Sequence, residues 1–153
     1  MTEIITLQDL IIEIAHTWLN TPYIQGACCK DKGIDCGNII SEILKEANAM
    51  PENYVLPYFY KDWHRGKIEN IDKDAFKKEF LKFGYIIPFD ERQKADVISF
   101  YYNNIESHIA LLVDDDCIIH AVSGLGVKKQ RLKNFKLNIC SVYRVKAIWD
   151  NLQ

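Results

Sequence analysis

Apolar residues fall at helical spacing in two stretches near the N-terminus. Leu7, Ile11, Ile14, Ala15 and Trp18 share one face after Thr6, and Asp9 stands three residues beyond that threonine, as in a capping arrangement. This predicts a helix over about 7–19, ended at Asn20-Thr21-Pro22 because proline disfavours helical geometry in the residue before it. Ile39, Ile40, Ile43, Leu44 and Ala47 mark a second face, with Ser41, Glu42, Lys45 and Glu46 on the wet side, so a central amphipathic helix is expected from Cys36. Phe76, Phe80 and Phe83 lie at i, i+4 and i+7 behind Asp72 and Asp74, predicting a third, shorter helix with Gly84 as its C′ residue.

Beyond Gly84 the period changes. Residues 97–102, 108–113, 117–122, 127–132 and 139–145 are short runs rich in β-branched and aromatic side chains, separated by Asn103-Asn104, Asp114-Asp115-Asp116 and Ser123-Gly124-Leu125-Gly126. Helices first and an antiparallel meander afterwards predict an α+β domain. Residues 48–71 hold two of the four prolines together with Tyr54, Tyr58, Phe59, Tyr60 and Trp63. They are expected to form an ordered excursion with little regular structure, placed to cover or line a groove.

Composition narrows the classes. A chain of 153 residues is expected to form a single domain over 1–153, able to bury about 68–70% of its unfolded surface without disulfides or metal. Nineteen Lys plus Arg against twenty-one Asp plus Glu leave no basic stripe, which excludes nucleic acid as the expected partner. The start, Met1-Thr2-Glu3-Ile4-Ile5, lacks a positive region, and acidic residues interrupt the apolar runs, so neither a signal peptide nor a membrane span is expected and synthesis in the cytoplasm is. Five cysteines, at 28, 29, 36, 117 and 140, are an odd number at irregular spacing, and at least four of them read as free thiols.

Cys36 falls at the predicted first turn of the central helix, where unpaired N–H groups favour thiolate over thiol. His108 and His120 flank one predicted hairpin. With its turn at 114 or 115, His120 faces residue 108 or 110, and the even spacing of twelve puts both imidazoles on one face of the sheet, roughly 5–8 Å apart. The helix bearing Cys36 would then have to pack across that face. Taken singly, each residue has a plainer reading: free cysteine is commonly a small buried hydrophobe, and His108 and His120 fit a rim and a core histidine with satisfied hydrogen bonds. The conjunction supplies a nucleophile, a base and an orienting group. Adjacent Cys28 and Cys29 cannot mimic the gaps of a structural zinc site, so no metal or other cofactor is expected. They read as loop thiols, Cys117 and Cys140 as core, and His16 and His64 as surface residues.

Thr21-Pro22-Tyr23, Gly33-Ile34-Asp35-Cys36, Asp96-Val97-Ile98-Ser99-Phe100, His108-Ile109-Ala110 and Ile119-His120-Ala121 resemble, in order, the successive blocks of the NlpC-type cell-wall peptidases, which are papain-like cysteine peptidases. The resemblance spans about residues 6–131. Pro57-Tyr58 and Asp62-Trp63 resemble the subgroup of phage and gene-transfer-agent cell-wall peptidases. The resemblance implies a papain-like fold with a central helix on a small antiparallel sheet, and a Cys-His-His triad of nucleophile Cys36, base His108 and orienting His120. It implies substrate-binding roles for Tyr23, near the oxyanion and the substrate's amino end, and for Asp35, which shapes the pocket. The implied substrate is a peptidoglycan stem peptide or a related amide, with phage tail proteins as partners and a virion location. Where the family usually reads Cys-Ser-Gly this chain reads Cys36-Gly37-Asn38, and the usual Gly-Gly is Gly26-Ala27. These departures leave room for a papain-like amidase or thioesterase on another substrate, or for a non-catalytic phage assembly subunit that keeps the fold.

Overall fold

Thr6 opens the first helix as its spacing foretold. Its hydroxyl oxygen accepts the Asp9 N–H at 3.1 Å and donates to the Asp9 carboxylate at 2.8 Å, capping α1 (Leu7–Thr17). Trp18 is the C-cap, and Asn20 turns the chain through a positive φ of 71°, its N–H bonding the Val127 carbonyl. The computed structural model describes residues 4–57 and 72–152.

Cys28–Cys29 (β1) and Gly33–Ile34 (β2) form an antiparallel hairpin, too short to leave a periodic signal. It leads directly into α2 (Cys36–Glu46), which buries Ile39, Ile40, Ile43 and Leu44. Each such side chain contributes about 1.5–3 kcal/mol relative to exposure, so packing, more than helix propensity, fixes this element. The third helix, α3 (Ala75–Phe80), is shorter than its phenylalanine spacing suggested. Gly84 is not its C′ residue but the first residue of β3 (Gly84–Ile87), an edge strand that pairs with β8. Phe83 instead meets Tyr54 edge-on at 4.5 Å.

The remaining strands are β4 (Val97–Tyr102), β5 (Ile105–Leu112), β6 (Cys117–Val122), β7 (Gly126–Arg131) and β8 (Ile139–Val145), followed by α4 (Lys146–Asn151). The six-stranded antiparallel sheet runs in the order β3-β8-β4-β5-β6-β7. The predicted meander therefore holds for β4 to β7, while β8 returns through a 3-10 segment to the far side of β4. Asn103 and Asn104 both take positive φ in the tight β4–β5 turn, as a two-residue hairpin requires. β5 begins three residues earlier than expected because it continues past a bulge that leaves Ser107 unopposed. Buried Asp96 ties the start of β4 to β8, accepting from Arg144 at 3.0 and 2.8 Å.

Apolar residues cover both faces of the sheet. One face carries Ile105, Ile109, Leu111, Ile119, Ala121 and Tyr143 against α1, α2 and α3. The other carries Ile98, Phe100, Ala110, Leu112, Ile118 and Val142, closed by Leu132 and Phe135. The whole is the α+β arrangement expected, helices packed on an antiparallel sheet.

Candidate active site

Asp35 sits in extended conformation at the N-cap of α2 and is 6% exposed. One carboxylate oxygen accepts the N–H groups of Gly37 at 3.1 Å and Asn38 at 2.8 Å. The other accepts the Gly26 N–H at 2.7 Å and the Asn38 side-chain amide at 3.1 Å. The carboxylate thus starts the helix and clasps the preceding loop to it, and Cys36 becomes the first helical residue.

The sheet makes room for the sulfur. β5 and β6 pair at Leu112↔Ile118 and Leu111↔Ile119, and the ladder then stops. The tip of α2 meets β5 at this opening. Cys36 Sγ lies 4.0 Å from the Ser107 carbonyl oxygen, and the Ile109 N–H is directed at the same sulfur. Residues 107 and 109 present their backbone groups to one edge of β5, as strand alternation demands, and His108 lies between them.

His108 and His120 are both buried, at 8% and 1% exposure. Their rings stand 5.0 Å apart with His108 Nε2 2.7 Å from His120 Nδ1, and His120 Nε2 is 2.6 Å from Gln130 Oε1. Extending the observed register puts His120 opposite Ala110 with His108 on its diagonal, one of the two arrangements the hairpin allowed. One expectation fails. The pair does not lie beneath α2: the rings pack among Phe100, Tyr102 and Phe135, on the face opposite the helix. The sulfur meets β5 at its open edge, so the helix need not cross the histidine face.

Electrostatics at the sulfur also differ from the helix-terminus argument. Burial first, and the Asp35 carboxylate second, push the Cys36 thiol up to about 12, against the opposing pull of the Ile109, Cys36 and Gly37 N–H groups. Burial lowers His120 from its usual value, partly offset by Gln130, so this ring is neutral at pH 7.

Tyr23 bridges Ile34 beside the strand that delivers Asp35, and its hydroxyl donates to Gln25 Oε1 at 2.8 Å. Cys28 and Cys29 are exposed; Cys117 is half-buried and packs against the core, and Cys140 is half-buried. His16 bonds the Ile12 carbonyl on α1; His64 lies outside the described residues. Among the described residues no three His, Cys, Asp or Glu side chains gather to hold a metal. Of the 48–71 excursion, residues 48–57 are described, and Leu56 packs over the tip of α2, its Cδ2 2.5 Å from where a Cβ on residue 37 would stand. Sequence reasoning missed Gln130, Tyr102 and Phe135 as neighbours of the histidines. Gln130 alone left a signal, since two-residue alternation along 126–131 places it on the same face as Lys128, which pairs with His120.

Neither a protein-family model nor a curated protein matches the chain. Solved structures do. The NlpC/p60 domain of the peptidoglycan hydrolase SagA superimposes with a TM-score of 0.62 at 16% identity, covering 90% of this chain and 97% of that one. An NlpC/P60 family protein from Bacillus cereus gives 0.66 at 19% identity over 90% of this chain and 39% of its own length. A protein from Staphylococcus aureus described as similar to lipoprotein of the NLP/P60 family gives 0.61 at 19% identity, with 91% of this chain and 41% of that one covered. The chain thus spans about two fifths of these last two proteins and nearly all of the SagA domain. Helices packed on an antiparallel sheet are the α+β fold that this chain shares with the NlpC/P60 structures.

Proposed function

We propose that the protein is a cysteine peptidase that hydrolyses peptide bonds in peptidoglycan stem peptides, with Cys36 as nucleophile, His108 as base and His120 as the group that orients it. The observation that carries the reading is the sulfur of Cys36 held against the backbone on either side of His108, whose ring is bonded to His120. The fold shared with structures that include the peptidoglycan hydrolase SagA supports the substrate class.

His108 takes the thiol proton as sulfur bonds the scissile carbonyl carbon, and the imidazolium then protonates the departing amine. Water, deprotonated by the same ring, cleaves the thioester and regenerates the thiol. The Cys36 N–H at the helix terminus is placed to donate to the tetrahedral oxygen, a contribution of roughly 2.7–4 kcal/mol for one such donor. Asp35 shapes the pocket by holding the Gly26 loop to the helix tip, and Tyr23 forms part of its wall. Association with a phage particle is supported by the sequence resemblance at Pro57-Tyr58 and Asp62-Trp63, most of which lies outside the described residues.

A second reading, an amidase or thioesterase on another substrate, is favoured by Asn38, whose amide occupies the Asp35 oxygen that faces the loop. A panel of muropeptides, other amides and thioesters read by mass spectrometry separates the two. His108→Ala abolishes turnover of whichever substrate is cleaved, and His120→Asn retains a fraction; equal activity of all three proteins would end the catalytic assignment.

A further inference from the structure

Three groups in a row, His108, His120 and Gln130, are joined by two hydrogen bonds. A neutral imidazole has one donor and one acceptor nitrogen, so a row through neutral His120 can be polarised in only two ways. With Gln130 Oε1 toward the ring, as found, His120 carries its proton on Nε2, its Nδ1 accepts, and His108 must donate from Nε2. The unprotonated nitrogen of His108 is then Nδ1. Were the Gln130 amide reversed, His120 would donate from Nδ1, His108 Nε2 would accept, and the His108 proton would move to Nδ1, leaving that nitrogen unable to take a proton from the thiol.

Resting on the reading of His108 as the base, we infer that Gln130 is a positioning residue: through the tautomer of His120 it sets which nitrogen of His108 is unprotonated and so able to take a proton. The surroundings fit this role. Lys128, directly opposite His120 on β7, sends its ammonium to Asn20 Oδ1 at 3.2 Å, so the neutral amide two residues on meets the ring. Lys129 and Arg131 on the alternate positions face solvent, whereas Gln130 is half-buried. Phe135 closes the other side of His120, with ring centroids 5.3 Å apart.

The test uses the full chain with 15N-labelled histidine, whose long-range proton–nitrogen correlations report the tautomer of each ring, alongside turnover of a muropeptide. Both His108 and His120 are expected as Nε2–H in the unaltered protein. Gln130→Leu, which removes the acceptor at similar volume, should lose that assignment at both rings and lower kcat on the order of ten- to a hundredfold, the scale on which outer partners of oriented histidines act, with KM little changed. Gln130→Glu retains an acceptor and, at a pH high enough to keep His120 neutral beside the new carboxylate, should restore Nε2–H at both rings and most of kcat. Unaltered tautomers in Gln130→Leu, or a Gln130→Glu protein that behaves like it, would overturn the inference whatever the activity. Tautomers that follow Gln130 in a protein with no hydrolytic activity would support the proton assignment and overturn the catalytic reading beneath it.

Discussion

Asp35 offers a perturbation with two readouts of opposite sign. Replacing it by alanine removes the α2 cap, worth about 0.5–2 kcal/mol, and strips the Gly26 N–H of its partner, a further loss of about 1 kcal/mol at this part-buried site. The sum is about 1.5–3 kcal/mol, a sizeable share of a typical total of about 5–15 kcal/mol. With a urea slope of roughly 2 kcal/mol/M the unfolding midpoint falls by about 0.8–1.5 M. Asp35→Asn keeps the cap, since asparagine is as good an N-cap, but removes the charge that adds to burial in raising the Cys36 thiol. Its thiol therefore titrates lower and Cys36 alkylates faster at a fixed pH, about tenfold more thiolate per unit of decrease. Urea unfolding and peptide-mapped iodoacetamide labelling measure the two effects. An alanine variant within about 0.5 kcal/mol of the parent, or an asparagine variant whose Cys36 alkylates more slowly, would refute the reasoning.

Gly126 takes a φ of +84°, and a Cβ there would come within 2.6 Å of the Thr21 carbonyl oxygen, so Gly126→Ala should cost more than about 1 kcal/mol and lower the thermal midpoint measured by circular dichroism. Because burial lowers His120, the unfolded chain binds more protons than the folded one between that lowered value and 6.5, and stability rises with pH across this window. Acidification from pH 7 toward 5 should therefore destabilise the protein, and His120→Gln should flatten the dependence in urea titrations at each pH.

Much of this was legible in the chain. The Thr6 and Asp35 starts, the strands at 97–102, 117–122 and 139–145, and the shared face of the two histidines all follow from spacing and turn residues. What escaped was set by distant partners. β3 shows no clean alternation because it is an edge strand defined by β8, and Gly84 looks like a helix stop until its partner is known. The side of the sheet on which α2 packs depends on where the β5–β6 ladder parts, which no local pattern encodes. The helix-terminus argument for a thiolate left out burial and the Asp35 charge, which act against it and are both consequences of packing. Gln130 carried no chemical signature of its own, and only the β6–β7 register gives it a role.

The most direct test of the central claim is digestion of purified peptidoglycan by the unaltered protein and by Cys36→Ala, with new amino termini identified by mass spectrometry. The account predicts defined new termini within the stem peptides for the former and none for the latter. Identical termini from both proteins would contradict it.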